Sequence, residues 1–330
     1  MTVPAFSVRP AHALLGAALV VALSACSAAS QADTGSGEDA SVGTLRVGAT
    51  SVTGTPAGSL GWGDKEGILL DELKDAGVDK IEYSFFQSGK DVVAALLGGA
   101  VDVAAVGDNP ALTARGNGAE VELLALDSIN GDTWLIGAPG GPTTIEGLVG
   151  KDVTAPQGTI RDRSAHQLVE AAGLADQIEV KDLGTPESIA GLSSGSVDAT
   201  LVGGASAVEL ARKGFPVIDR TSDHGLESTG ATIASTEFVD AHPGFRAAWQ
   251  GAVVATNQSI VDRFDEYTQW VAETDGVDVD LVREATHEDE FTLEPYPDAG
   301  LDQLQSAHDF LHDDGAFDEA FDVREWAGVS

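Results

Sequence analysis

The chain has 330 residues, of which 18 are Lys or Arg and 53 are Asp or Glu, so its formal net charge at pH 7 is −35. This acidity argues against a nucleic-acid-binding surface, which needs basic side chains to replace the counterions of the phosphates. With 43% hydrophobic residues the chain can still bury a large core, and its length suggests about two domains. A single cysteine excludes an internal disulfide framework and a thiolate metal cluster.

The first segment has the character of a secretion signal. An apolar run over residues 13–23 follows Arg9 and is too short to span a bilayer core about 30 Å thick. It ends in Leu-Ser-Ala-Cys, which resembles the lipobox of bacterial lipoproteins. We therefore expect residues 1–25 to be a lipoprotein signal peptide and Cys26 to carry the lipid that anchors the protein to the extracytoplasmic face of the cell membrane. Residues 26–43 are small and polar, which predicts a flexible tether.

From residue 44 onward, short β-prone runs alternate with longer helical runs, which predicts βαβ units and mostly parallel sheets flanked by helices. The predicted strands are 45–50, 80–86, 101–107, 121–128, 133–139, 152–157, 178–184, 198–203, 216–220 and 230–235. The predicted helices are 64–75, 90–97, 109–115, 162–172, 186–192, 206–212, 236–241, 245–274, 279–285 and 299–312.

One pattern occurs twice, at 97–104 and 192–199: a helix, a glycine cap, and a strand that opens with Val-Asp. The repeat predicts two similar lobes. Because the last helices have no strands of their own, we expect the chain to leave lobe 1, build lobe 2 and return. The predicted boundaries are 44–128 and 230–330 for lobe 1, and 129–229 for lobe 2.

Four segments resemble, in the same order, periplasmic binding proteins (type 2) of the nitrate/sulfonate/taurine type. They are Gly89–Thr113, with its G-x-V-D strand and Gly-Asp-x-Pro, Gly147–Gly173, Gly195–Val202, and Ile233–Gly244, with its His-Pro return. The resemblance implies an α/β fold of two lobes joined by a two-stranded hinge, near 126–134 and 219–233, that closes on a small molecule. It also implies delivery of that molecule to an ABC permease and ATPase complex, without a catalytic step or a cofactor. We expect a monomer that binds no nucleic acid.

Two departures from the family pattern leave the identity of the ligand open. The family commonly has an aromatic residue, Asp and Pro after its later strand, where this chain has Gly203-Gly204-Ala205. Residues 160–163 resemble an insertion. The resemblance favours a small anion, such as an aliphatic sulfonate, taurine or nitrate. The alternative is a pyrimidine or thiamine precursor, for which we expect a stacking wall from Trp62, Phe85 or Trp134. The negative charge also leaves a cationic ligand open.

Ligands of open α/β sheets bind beyond the carboxyl ends of strands, where helix N-termini present free N–H groups. The residues that meet this condition, or flank it, are Ser51, Thr53, Gly54, Gln87, Ser88, Asp108, Asn109, Trp134, Thr159, Arg161 and Gly204. The guanidinium of Arg161 suits a sulfonate or carboxylate, although a surface pair with Asp162 explains it equally well. Asn109 is also explained as a helix cap. Asp108 would repel an anion, and would instead orient a neighbour or meet an ammonium group. Trp134 is more often a core residue than a lid.

Enzyme signatures are weak. Residues 191–195 spell G-x-S-x-G, but this hydrolase motif requires a strand, a turn and then a helix, and here a helix precedes the turn. A lipid-anchored hydrolase that uses Ser193 is therefore the least favoured function. His308 and His312 are four residues apart, without the glutamate of H-E-x-x-H, which favours a solvated helix face over a metal site.

Overall fold

Two five-stranded sheets organise the protein, in a computed structural model that describes residues 41–51 and 54–329. The strands are β1 (Gly43–Thr50), β2 (Val78–Phe86), β3 (Val103–Gly107), β4 (Val121–Gly131), β5 (Thr133–Gly137), β6 (Val153–Ala155), β7 (Val180–Asp182), β8 (Ala199–Gly203), β9 (Val217–Arg220) and β10 (Ser228–Ser235). The first sheet has the order β2-β1-β3-β10-β4 and the second has the order β7-β6-β8-β5-β9. Each sheet with the helices packed on it is called a lobe below, lobe 1 containing the first sheet and lobe 2 the second.

The two sheets have the same arrangement. In lobe 1, β2, β1 and β3 are parallel, and β10 runs antiparallel between β3 and β4. In lobe 2, β7, β6 and β8 are parallel, and β5 runs antiparallel between β8 and β9. The likeness of the lobes confirms the two-lobed α/β fold that the repeated sequence pattern predicts. The sheets are mixed, however, because one strand of each comes from a crossing between the lobes.

The helices agree with the predicted order. They are α1 (Gly58–Lys65), α2 (Ile68–Leu73), α3 (Gly89–Leu97), α4 (Asp108–Gly116), α5 (Ile160–Ala171), α6 (Thr185–Ser194), α7 (Gly204–Arg212), α8 (Thr236–Ala241), α9 (Phe245–Asp262), α10 (Phe264–Asp275), α11 (Val279–Ala285), α12 (Asp298–Asp313) and α13 (Val323–Ala327). Short 3-10 turns lie at Lys74–Ala76, Ile145–Leu148, Thr221–His224 and Glu288–Glu290. Most of α1 and all of α13 lie outside the predicted helices. The single helix predicted for 245–274 is wrong, because it is two helices that meet at Arg263.

Both faces of each sheet are buried, because successive side chains of a strand point to opposite faces. In lobe 1, Val103 belongs to the apolar cluster under α9 and Ala104 to the cluster under α3, α4 and α12. In lobe 2, Leu135 and Ile136 divide in the same way between two clusters. Each fully buried aliphatic side chain contributes about 1.5–3 kcal/mol, so both lobes have a substantial core of their own.

The chain crosses between the lobes twice, within the predicted hinge segments. The first crossing is Asp132, between β4 and β5, and the second is the stretch 221–227 between β9 and β10. The carboxylate of Asp132 accepts hydrogen bonds from Thr221 Oγ1 at 2.9 Å and Ser222 N at 3.0 Å, and from Trp134 Nε1 at 2.6 Å. One side chain therefore ties the two crossings together.

Cys26, the predicted signal peptide and residues 26–40 of the predicted tether lie outside the described residues. The end of the predicted tether is structured: Ser41 Oγ donates to the carbonyl of Gly77 at 2.9 Å, and Gly43 begins β1. Among the helices that the structure describes, none is both long and apolar enough to cross a membrane.

Candidate functional site

A cavity of about 310 Å³ lies at the carboxyl ends of β1, β3 and β4 in lobe 1. Its wall consists of Ala49, Thr50, Ala57, Gly58, Leu60, Ala105, Val106, Gly107, Asp127, Ser128, Gly131, Ile160, Ser228, Thr229 and Gly230. Ile160, the first residue of α5, is the contribution of lobe 2. The cavity therefore lies between the lobes, at the edge of the sheet where α/β folds bind their ligands. We call it the cleft cavity.

The N-terminus of α1 forms one part of this wall, through Ala57 and Gly58. The first N–H groups of a helix have no partner within the helix, and together they form the positive end of its dipole. A buried amide fixes this end of α1: Ser59 Oγ donates to Asn257 Oδ1 at 2.6 Å, and Asn257 Nδ2 donates to the carbonyl of Asp127 at 3.1 Å. Asn257, on α9, thus holds the start of α1 next to the end of β4.

Two polar side-chain atoms on the wall of the cleft cavity are buried without a hydrogen-bond partner among the described residues. They are Asp127 Oδ1 and Thr229 Oγ1. Burial raises the pKa of Asp127 to about 6. Within residues 41–51 and 54–329, no Lys or Arg lines this cavity. The wall therefore presents a carboxylate, hydroxyl groups and a helix N-terminus, without a fixed positive side chain.

Asp108 and Asn109, both predicted ligand residues, contact lobe 2 directly. Arg163 Nη2 donates to Asp108 Oδ2 at 2.6 Å, and Arg163 Nε donates to Asn109 Oδ1 at 2.7 Å. The side chains of Arg163 and Asp108 are 1% and 0% exposed. Asp108 therefore orients a neighbour, one of the two roles that the sequence left open. Contact of either residue with a ligand stays a prediction.

Thr159 and Arg161 lie at the start of α5. Thr159 caps the helix, since its Oγ1 accepts from Asp162 N at 3.4 Å, and its carbonyl accepts from Asn109 Nδ2 at 3.0 Å. Arg161 is partly buried, its Nε has no partner in the described part of the chain, and burial lowers its pKa. The alternative pair with Asp162 is not formed among the described residues. The carboxylate of Asp162 instead accepts from Gly158 N at 2.7 Å.

Five predicted site residues follow β1 and β2. Ser51 Oγ accepts from Gly54 N at 3.1 Å, and Gly54 has a φ of 77°, which closes a tight turn before α1. Thr53 lies outside the described residues. Ser88 caps α3, because its Oγ accepts from the amide of the third helical residue at 3.2 Å. Gln87 is exposed. None of the four that are described lines the cleft cavity, so their role in binding stays a prediction.

Trp134 and Gly204 line a separate cavity of about 460 Å³. The guanidinium of Arg220 lies 3.9 Å from the centroid of the Trp134 ring, and burial raises the pKa of Glu290, also on this wall, to about 7. The structure thus brings these two predicted residues together, but away from Asp127 and α1. Trp134 packs as part of the hinge region.

The structure does not support the hydrolase geometry. Ser193 is inside α6, and its Oγ donates to the carbonyl of Ile189 at 3.0 Å, so no strand-to-helix elbow presents it. The predicted solvated face at His308 is wrong: His308 is 3% exposed and its Nε2 accepts from Phe321 N at 3.0 Å. Among the described residues, no group of three or more His, Cys, Asp or Glu side chains is placed to hold a metal ion.

The comparisons with known proteins agree on the fold. A family model described as NMT1/THI5 like matches residues 73–261. The taurine-binding periplasmic protein of Escherichia coli strain K12 is 22% identical over 191 residues, which are 57% of this chain and 59% of that protein. The match thus spans about three fifths of the length of this curated relative.

Among solved structures, the alkanesulfonate-binding protein SsuA from Xanthomonas axonopodis pv. citri, bound to MOPS, has a TM-score of 0.71 and 18% identity, over 87% of this chain and 98% of its own. The desulfurization enzyme DSZB has a TM-score of 0.66 and 18% identity, over 87% of this chain and 97% of its own. Both likenesses concern the fold, which carries binding proteins and at least one enzyme. Because the family model covers more than half of the chain, the protein belongs to the NMT1/THI5-like family, with the two-lobed fold of the periplasmic binding proteins.

Proposed function

We propose that the protein is the extracytoplasmic solute-binding component of an ABC importer, and that it binds a small organic anion of the sulfonate class in the cleft cavity. The observation that carries this proposal is a cavity between two lobes that are already in contact, with the N-terminus of α1 on its wall. A volume of about 310 Å³ is at the lower end of the range for small-molecule sites, roughly 300–1,000 Å³. It suits a compact organic molecule.

An anion has one source of attraction on the wall of the cleft cavity, and a second residue next to that wall. Ala57 and Gly58 place the start of α1 on the cavity wall, and the first N–H groups of a helix, which have no intrahelical partner, bind anions at many sites. Arg161 follows Ile160, a residue of the cavity wall, and the Nε of Arg161 has no partner among the described residues. A buried guanidinium nitrogen without a partner is unfavourable, and a bound sulfonate would supply that partner.

The same cavity is proposed to serve transport rather than catalysis. Binding would shift the population of the protein toward the closed form, which a permease can recognise. The taurine-binding and alkanesulfonate-binding relatives support this role. The resemblance of the segment before Cys26 to a lipobox supports a lipid anchor that keeps the binding protein beside its permease and ATPase. A monomer suffices for this function, since both walls of the cleft come from one chain.

A pyrimidine or thiamine precursor remains the second candidate, favoured by the unpaired acceptors Asp127 and Thr229, which suit an amino group on a ring. The predicted stacking wall does not support it. Trp62 is fully buried against Tyr267, with 5.7 Å between ring centroids, and neither Phe85 nor Trp134 is among the described residues that line the cleft cavity.

A thermal-shift screen tests the proposal. A ligand at one hundred times its Kd stabilises a protein by about 2.7 kcal/mol, which raises the melting temperature by several degrees. We expect taurine or an alkanesulfonate to raise it, and nitrate, bicarbonate and phosphonates serve as competing anions. If a neutral pyrimidine raises the melting temperature and no sulfonate does, the sulfonate proposal is wrong. Radiolabelled palmitate incorporation into the native chain, and its loss in Cys26→Ser, tests the anchor.

A further inference from the structure

We propose that Asp127 and Thr229 recognise an amino group, so that the ligand of the cleft cavity bears a nitrogen donor. This inference rests on the proposed function of that cavity. It distinguishes ligands within the proposed class, because a simple alkanesulfonate or nitrate has no such donor.

The first argument is the state of the two acceptors. Asp127 Oδ1 and Thr229 Oγ1 are shielded from water and have no hydrogen-bond partner among the described residues, although both line the cavity. A buried carboxylate oxygen without a donor is unfavourable, and proteins normally satisfy such atoms. A nitrogen donor that enters with the ligand would supply the missing hydrogen bonds.

The second argument is that no basic side chain in the described wall competes for this role. The cavity contains no Lys or Arg that would pair with Asp127 in residues 41–51 and 54–329. Asp108, the other buried carboxylate nearby, already accepts from Arg163 Nη2 at 2.6 Å and from Thr229 N at 3.2 Å. Burial raises the pKa of Asp127 to about 6, so the group is mostly ionised at neutral pH. A protonated amine complements it in charge as well as in hydrogen bonding.

The third argument is that a glycine at position 230 leaves room for the carboxylate of Asp127. A Cβ atom at Gly230 would lie 2.1 Å from Asp127 Oδ1, so any larger residue at 230 would displace the carboxylate. On the other side, Asn257 Nδ2 holds the carbonyl of Asp127 at 3.1 Å. The main chain of Asp127 is therefore held in position and its carboxylate is confined beside Gly230, as expected for a preorganised recognition group.

The shared chemistry is an amino nitrogen, and two kinds of ligand supply it. An amino sulfonate offers an ammonium group to Asp127 and a sulfonate to the N-terminus of α1. An aminopyrimidine offers its exocyclic amine. Isothermal titration calorimetry of the full chain at pH 7.5 separates them, with taurine, ethanesulfonate and 4-aminopyrimidine as probes. Ethanesulfonate has the carbon chain and the sulfonate of taurine but lacks the amine.

We expect the native protein to bind taurine at least tenfold more tightly than ethanesulfonate, and Asp127→Asn to abolish that preference while ethanesulfonate affinity stays within about threefold. Asp240→Asn removes the same charge from the exposed surface of α8 and is the matched control, which should keep the preference. The native affinity for taurine should fall between pH 7.5 and pH 5, as Asp127 is protonated, and that dependence should be weaker in Asp127→Asn.

The other outcomes are equally decisive. If ethanesulfonate binds as tightly as taurine, the inference is overturned and the proposed function stands. If only 4-aminopyrimidine binds, and Asp127→Asn weakens it, the inference stands and the sulfonate proposal fails. If no probe binds, both fail. A purely structural role for Asp127 would lower the melting temperature of the free Asn variant and affect every probe equally, which would also overturn the inference.

Discussion

The guanidinium of Arg163, on lobe 2, joins the carboxylate of Asp108, on lobe 1, with 2.6 Å between Nη2 and Oδ2. Further hydrogen bonds surround the pair: Arg163 Nη1 donates to Gln167 Oε1 at 2.9 Å, and Asp108 accepts from the amides of Asn109 and Thr229 at 2.6 and 3.2 Å. Because the pair is buried and spans the two lobes, it favours the closed form even without a ligand. Ligand binding therefore acts on a protein that already has contacts across the cleft.

Removal of Arg163 from its pair with Asp108 should greatly lower the free energy of unfolding. Arg163→Met leaves Asp108 as a buried charge without its partner, and such a loss costs about 3–5 kcal/mol of unfolding free energy. Opening of the lobes would hydrate Asp108, so we also expect a larger radius of gyration. Urea denaturation and small-angle X-ray scattering measure these two effects. The double variant Asp108→Leu/Arg163→Met should recover much of the stability.

The chain offers a matched control for this experiment. Arg212, on α7, and Glu284, on α11, also form an ion pair, at 2.6 Å, but their side chains are 46% and 50% exposed. Arg212→Met should therefore change the unfolding free energy by only about 0–1 kcal/mol. If Arg163→Met and Arg212→Met changed the unfolding free energy equally, burial of the Arg163–Asp108 pair would not contribute to stability.

Gly107 lets the lobes approach each other. A Cβ atom there would lie 2.6 Å from Ile160 Cδ1 on lobe 2, while its φ of −78° allows any residue. We expect Gly107→Val to weaken, by tenfold or more, the binding of whichever probe stabilises the native protein, and to increase the radius of gyration. Ile160→Ala should restore both in the double variant. Failure of that rescue would indicate that Gly107 matters for another reason.

Substitution of Arg161 tests whether this residue binds the anionic group of the ligand. If its guanidinium holds a sulfonate, Arg161→Met should reduce sulfonate affinity by at least tenfold, about 1.4 kcal/mol, in calorimetry. The melting temperature of the free protein should be unchanged or higher, because Nε of Arg161 is buried without a partner among the described residues. Lys213→Met, at an exposed position on the surface of lobe 2, removes the same charge and should have no effect. Unchanged sulfonate affinity in Arg161→Met would remove Arg161 from the site.

The stability of the protein should depend on pH through two buried carboxyl groups. Burial raises the pKa of Asp127 from 3.8 to about 6 and that of Glu290 from 4.5 to about 7. Because the folded state favours the protonated forms, their contribution is complete below about pH 4 and is lost as the pH rises through 6 and 7. Urea denaturation should therefore give a higher unfolding free energy at pH 5 than at pH 8. The difference should shrink in Asp127→Asn/Glu290→Gln, and an undiminished difference would contradict this assignment.

The sequence predicts the strands well, because each strand is a short apolar run between turn residues. It does not predict α1 as a helix, because Gly58, Gly61 and Gly63 all disfavour one. The structure shows why glycine is needed: a Cβ atom at Gly61 would lie 2.2 Å from the carbonyl oxygen of Pro56, and one at Gly63 would lie 2.6 Å from Thr256 Oγ1. This close packing leaves no signal in the local sequence, and it outweighs the low helix propensity of the three glycines.

The break between α9 and α10 is likewise a tertiary effect. Arg263 has non-helical angles, φ −129° and ψ 39°, although no glycine or proline lies there. Its guanidinium donates to Glu66 at 2.5 Å and to Glu266 at 2.6 Å, and lies 5.0 Å from the ring centroid of Trp62. The helical spacing of apolar residues continues through the break. A prediction based on that spacing alone therefore gives one long helix.

The candidate site was predictable only in part. The rule that ligands lie beyond strand ends selects the loops after β3 and β6, which do meet between the lobes. Asp127 lies inside β4 and inside the predicted strand 121–128, so that rule does not select it. Arg163 has no such signal, because only the approach of lobe 2 to lobe 1 shows that this helical arginine is buried.

The order of strands in the first sheet also determines the order in which the protein can assemble. β10 lies between β3 and β4, yet it follows the whole of lobe 2 in the chain. Until residue 228 is available, β4 has no partner in its sheet, whereas all five strands of lobe 2 lie within residues 133–220. Lobe 2 can therefore complete its sheet first, and lobe 1 must wait for pairings of long sequence separation, which form slowly. The half of the molecule that supplies most of the cleft is thus the last to complete its fold.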